Sequence, residues 1–225
     1  MPGSCVVSLT TTPQRIQSSM IQKRLRHLRT LAGDCRVILN VPHVYNKTGE
    51  AYPVENVQGI PGVEIHRCDD VGPATKLIST LQNPSVPDHA TVVSVDDDIV
   101  YKDHAIKYLV DSVQKDPSKI YGYNTLRELE GFSGWAAQKS LIEPLRQAPP
   151  EACRKVDDMW FTHLVRSHGI PMEQIEYEGQ MGMFSSIDPV RTDRENKQQG
   201  SGWEELNHTR AEDNARCSRQ LGAVR

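Results

Sequence analysis

No apolar run in the chain approaches the ~20 residues that a membrane-spanning helix needs. The opening MPGSCVVSLTTTPQRI has no basic region ahead of its short apolar stretch, so it does not read as a signal peptide. Basic residues are not in excess: 26 Lys and Arg against 29 Asp and Glu give a net charge of −3, which disfavours a nucleic-acid binder. Closely spaced cysteines are missing too. Cys5, Cys35, Cys68, Cys153 and Cys217 are widely and irregularly spaced, with no C-x-x-C. Neither a zinc site nor a disulfide framework is expected from that spacing, but reduced thiols in a cytoplasmic setting. No internal repeat is visible. What is present is a globular composition, 37% hydrophobic and 24% charged, over 225 residues. That length suits one α/β domain spanning 1–225, able to bury a core without staples and compatible with being part of a larger polypeptide.

Hydrophobic periodicity sets out the elements. Cys5–Leu9, Arg36–Val41, Val63–Arg67 and Thr91–Val95 are short β-branched runs and read as strands. Between the first two, Ile16, Met20, Ile21, Leu25, Leu28 and Leu31 keep helical spacing up to Gly33. Strand, helix and strand at this interval make a βαβ unit and imply parallel pairing. His43 to Pro61 is polar and reads as a surface excursion. Ala105 to Val113, Ser140–Arg146 and the segment VDDMWFTHLVRSHGIP read as helices, and Ile120–Tyr123 and Ile175–Tyr177 as further strands. After Ile187 the chain is polar, with few large apolar residues beyond Trp203, Leu206 and Leu221.

Two acidic groups carry the chemistry. Asp96, Asp97 and Asp98 follow the almost wholly apolar TVVSV. Three adjacent carboxylates repel one another, and a divalent cation with oxygen ligands is the usual compensation. In open parallel sheets, ligands bind beyond the carboxyl ends of strands, which is where the triplet falls. Alternation would place Asp96 and Asp98 on one side and Asp97 on the other. The second group, Asp157-Asp158, opens a helix. One acid would suffice to cap it, leaving the other to face a cleft as a base that takes a proton from a hydroxyl.

In order along the chain stand SLTTTPQR, DVGPATK, SVDDDIVY, GFSGW, VDD and LNHTR. This order resembles nucleotide-sugar glycosyltransferases of the GT-A fold, and most closely the small glycosyltransferase domains of chlorella viruses, over about Val6 to Leu221. The resemblance implies an α/β, Rossmann-like, mixed but mainly parallel sheet flanked by helices. It implies a UDP-sugar donor, with UDP-glucose and UDP-rhamnose both compatible, a glycan or glycoprotein acceptor, and Mn²⁺ or Mg²⁺. For a virus-encoded chain the setting would be the host cytoplasm. Thr10, Thr11 and Arg15 would lie near the nucleotide, Asp70 and Lys76 near base and diphosphate, and Asp97 beside the nucleotide. Asp96 and Asp98 would bracket ribose and metal, with Asp98 the first metal ligand and His208 completing the shell. That last role would order the polar segment 188–225 against the donor and metal site. Gly134 and Trp135 would border the donor sugar, with Trp135 stacking on it. Asp158 would be the general base and Asp157 its alternate, in an inverting displacement, although a retaining course stays open. Two rivals remain at the sequence level. A sugar-nucleotidyltransferase would share the metal site but should carry a glycine-rich basic loop after the first strand, where TTTPQRI has no glycine. A non-catalytic nucleotide- or sugar-binding module would not need Asp157-Asp158.

Overall fold

β-branched and aliphatic runs too short and too apolar for surface helices pair into one sheet, seen in a computed structural model that describes residues 5–125, 127–176 and 210–222. The strands are β1 (Cys5–Thr10), β2 (Arg36–Pro42), β3 (Val63–Cys68), β4 (Thr91–Ser94), β5 (Ile120–Gly122), β6 (Trp135–Gln138) and β7 (Met172–Gln174). They lie in the order β3-β2-β1-β4-β6-β5-β7. Pairing is parallel from β3 to β4 and between β5 and β7; β6 runs antiparallel to both its neighbours. The sheet is thus mixed and mainly parallel, as expected.

Alternate residues of the strands feed two cores. Val7, Leu9, Val37, Leu39 and Val93 pack under α2 (Ser19–Leu31) and α4 (Ala105–Lys115). Val6, Ile38, Val92 and Trp135 pack on the opposite face, under α3 (Thr75–Gln82) and α5 (Asp157–Ser167). Burial of both sheet faces explains the near-continuous apolar strands. The chain first winds from β1 outward to β3, then crosses back to place β4 on the other side of β1. The carboxyl ends of β1 and β4 therefore flank the point where winding direction reverses, the place where open α/β sheets bind ligands.

Several expectations shift. The helix read from Ile16 to Leu31 is two, α1 (Pro13–Ile16) and α2, because Ser18 breaks the run and accepts the Ile21 N–H to start a new helix. Pro144 at the start of Glu143–Arg146 holds that stretch to a 3₁₀ turn. The last strand lies at Met172–Gln174, three residues earlier than expected, where it pairs with β5; Tyr177 is outside the described residues. The polar excursion after β2 is not merely surface, since Tyr52, Val57 and Ile60 are buried in the first core.

The cysteine expectation is overturned. Cys5 and Cys35 form a disulfide, as do Cys153 and Cys217, and Cys68 is the free thiol. The parallel register of β1 and β2 pairs Val6 with Arg36, which sets the residues just before them side by side. Linear spacing carries no sign of that proximity. Cys217 belongs to α6 (Arg210–Gly222), whose Cys217 and Leu221 pack with Cys153, Val156, Met159 and Trp160 beside the start of α5. The described part of the polar C-terminal segment is thus tied to α5, and the rest of 188–225 lies outside the described residues, as does His208.

Candidate active site

The site forms where β1 and β4 end. After β1, Thr12 accepts the Arg15 N–H and starts α1, aiming Arg15 across at the turn that follows β4. Its guanidinium donates to Asp97 at 2.6 Å and to Asp98 at 2.9 Å. Thr11 donates its hydroxyl to the other Asp97 oxygen at 2.6 Å. Asp97 is buried and satisfied on both oxygens, so it acts as a clasp between the two strand ends. The Arg15 pKa is raised, chiefly by Asp97, against the cost of burial. Thr10 donates to the Asn40 carbonyl at 2.8 Å and faces β2.

The alternation expected of the triplet holds only in part. β4 ends at Ser94, and Asp97 and Asp98 lie in a turn. Asp98 therefore joins Asp97 on Arg15, while Asp96 points alone to the α3 side. There it meets Lys76, whose ammonium lies 2.8 Å from Asp96 and 3.1 Å from Asp157. Lys76 is buried, and desolvation pulls its pKa down. Asp157, Asp96 and Asp158 more than reverse that, so it stays charged well above its ordinary value. Its place is fixed from behind by a buried polar knot. The Asn40 amide donates to the Lys76 carbonyl at 3.1 Å and to Thr80 at 2.9 Å, and Ser8 donates to the same carbonyl.

Neither acid of the second group caps α5 through its side chain. Asp157 is spent on Lys76. Asp158 accepts the Gly131 N–H at 2.8 Å, and Thr162, one turn on, accepts from Leu129 at 2.8 Å. Together these two bonds press the 129–131 segment onto α5. A side chain at Gly131 would put its Cβ 2.4 Å from the Lys76 ammonium, so only glycine lets this backbone come so close. Burial is the main cause that pushes the Asp158 carboxyl up to about 7; nearby Asp157 adds to it, and Lys76 opposes it. Asp98 is pushed up to about 6, first by desolvation and then by Asp97 and Asp96, against Arg15.

Five carboxylates, Asp96, Asp97, Asp98, Asp157 and Asp158, thus gather around two cations, Arg15 and Lys76. Negative charge is in surplus there, and burial is the first cause of both raised carboxyls. Among the described residues no three His, Cys, Asp or Glu side chains converge as a complete metal cage. Asp96 and Asp98 keep 28% and 30% of their side-chain surface exposed, and such oxygen donors suit a hard divalent cation.

Other expected residues fall elsewhere. Asp70 is buried and accepts backbone N–H groups of Asn46 and Gly72, so it fastens the two loops together. Trp135 is 1% exposed in the second core, with no ring face left for a sugar; the strand it starts buries it. Gly134, at φ +83°, ends the turn that begins at Gly131 and lies against the Tyr101 ring. Two residues escaped the sequence reading. Tyr52 is buried near Asp70 and Asp97, in a stretch whose polarity hid it. Tyr101 links the post-β4 turn to the Gly131 turn, and its only signal was its place three residues after the triplet.

No family model and no curated protein sequence matches this chain. Solved structures do. 4-Diphosphocytidyl-2C-methyl-D-erythritol synthase is similar at a TM-score of 0.58 and 9% identity, over 85% of this chain and 98% of that one. Residues 1–349 of S. aureus TarS, solved in complex with UDP, are similar at a TM-score of 0.50 and 11% identity, over 97% of this chain and 70% of that one. The fold is of the Rossmann-like GT-A type. At such identities the likeness is one of fold alone, and neither match bears on the narrower resemblance to the chlorella virus domains.

Proposed function

We propose that the protein is a metal-dependent glycosyltransferase that moves a sugar from a UDP-sugar to a carbohydrate hydroxyl with inversion. One observation carries this reading. Lys76 draws Asp96 and Asp157 onto one ammonium, so the helix bearing Asp158 stands beside the acidic triplet at the winding reversal of a GT-A sheet. A binding module would need no second acidic group there. The narrower kinship with the chlorella virus glycosyltransferase domains belongs to the same proposal.

In this reading Thr11 and Arg15 bind the nucleotide side, with Asp97 holding both in place. Asp96 and Asp98, with His208 from outside the described residues, would hold Mn²⁺ or Mg²⁺. Bound there, the cation would neutralise charge developing on the leaving diphosphate. Lys76 adds a second positive charge near that position. Asp158 is the better base of the acidic pair, because Asp157 is already committed to Lys76. A carboxyl with its pKa near neutrality is matched to proton abstraction at neutral pH. It takes the acceptor hydroxyl proton while that oxygen bonds to the anomeric carbon. The bond from that carbon to the diphosphate breaks, and its electron pair leaves on UDP.

The rival is sugar-nucleotidyl transfer on the same fold. Against it, the segment after β1 contains no glycine and passes directly from Thr12 into α1. The test is a screen of UDP-sugars with Mn²⁺ and simple glycan acceptors, reading UDP release and the glycosylated product. Transfer dependent on the cation supports the proposal; no UDP release from any UDP-sugar would refute it.

A further inference from the structure

The two halves of the site are joined by one phenol. Tyr101 is 1% exposed. Its hydroxyl accepts the Asp96 N–H at 3.0 Å and donates to the Phe132 carbonyl at 3.0 Å. Asp96 starts the acidic triplet. Phe132 directly follows Gly131, whose N–H holds Asp158. The hydroxyl is thus satisfied as both donor and acceptor and spans the two turns. The ring is fixed in turn. A Cβ at Gly134 would lie 3.2 Å from Tyr101 Cε1, so the turn closes on the ring edge with only a hydrogen between them. The Tyr101 carbonyl lies 2.9 Å from His27 Nε2 on α2, which ties the tyrosine backbone to the helix layer. Full burial of a hydroxyl is tolerated because both of its bonds are made.

We infer that Tyr101 is a positioning residue: its hydroxyl sets the separation between the Asp96 turn and the Gly131–Asp158 contact, and so aligns the donor side of the site with its base. The inference rests on the glycosyl-transfer reading for its kinetic consequence but not for its structural one. The bonds of Thr11 and Arg15 to Asp97 lie on the other side of the triplet from the Asp96 N–H that Tyr101 holds, so the nucleotide contacts that need no cation do not pass through Tyr101. Loss of the hydroxyl should therefore separate turnover from nucleotide binding.

The experiment is Tyr101→Phe in the full chain, which keeps the ring and removes both bonds. Amide hydrogen exchange by NMR should show faster exchange at Asp96 and, through the turn, at Gly131, while strands β1 and β2 keep their protection. Calorimetry without divalent cation should find UDP affinity unchanged, while kcat for sugar transfer with the cation falls by roughly tenfold or more, as misaligned reactive groups do. Unchanged protection at Gly131 would overturn the inference, as would equal losses in UDP affinity and kcat. If wild-type protein transfers no sugar yet Gly131 loses protection in the variant, the functional reading fails and the positioning role stands. If Tyr101→Phe does not fold, amide exchange in the wild-type protein tests the link instead: Asp96 and Gly131 should exchange through one shared opening at the same rate, and a Gly131 amide that exchanges roughly tenfold or more faster than Asp96 would overturn the role of the hydroxyl.

Discussion

A carboxyl that shares a buried pocket with other carboxyls holds its proton longer, and that is the state of Asp158. Asp158→Asn removes the base but preserves the shape that accepts the Gly131 N–H. It should keep UDP binding and lose transfer by roughly 10²-fold or more, checked by product formation at saturating donor. The raised pKa also fixes the sign of a stability effect. Between the ordinary carboxylate range and about 7, the folded protein keeps a proton that the unfolded chain releases. Stability contributed by that proton is complete at low pH and is lost as pH rises through about 7. Thermal midpoints measured without divalent cation should therefore decline from pH 5 to pH 7.5. Asp158→Asn, which has no proton to lose, should decline less.

The elements bring together what the sequence keeps apart. The loop before β6 reaches α3 and α5 because Gly131 lets its backbone lie against Lys76 and Asp158. Gly131→Ala should push the Lys76 ammonium off Asp96 and Asp157 and lower kcat by roughly tenfold or more, with the fold intact by circular dichroism. Asn40→Ala removes the amide that ties β2 to the Lys76 carbonyl. It leaves a buried acceptor with fewer partners and should cost about 1–3 kcal/mol in urea unfolding. These placements show where sequence reading works and where it stops. β1, β2 and α4 were legible from apolar period alone, because each buries its apolar face without interruption, and β3 from Val63 and Ile65, which are only partly buried against the first core. The acidic triplet was legible because it directly follows a buried apolar run. The sharing of Asp98 with Asp97 was not, because a turn replaced the strand after Ser94. Trp135 was misplaced because a tryptophan beside glycines looks the same whether its ring faces a sugar or a core.

Across the whole molecule, the two disulfides carry the greatest departure from expectation. Cys153–Cys217 spans 64 residues and Cys5–Cys35 spans 30, and chain-entropy reasoning gives about 4 kcal/mol apiece as an upper range. With them goes the argument from reduced thiols for a cytoplasmic setting, since such bonds persist in oxidising compartments. Alkylation of the denatured, unreduced protein followed by mass spectrometry should label Cys68 alone, and dithiothreitol should lower the thermal midpoint. No described helix is long and apolar enough to cross a membrane. The cluster around Arg15 and Lys76 is the centre of the account, and its chemistry is decided by the bond that breaks. The most direct measurement is a mass-resolved product assay run twice, with a UDP-sugar plus acceptor and with UTP plus a sugar phosphate, each with and without Mn²⁺. The expected result is UDP and a glycosylated acceptor in the first reaction, only with the cation and not with Asp158→Asn. Pyrophosphate and a new UDP-sugar from the second reaction, with nothing from the first, would contradict it.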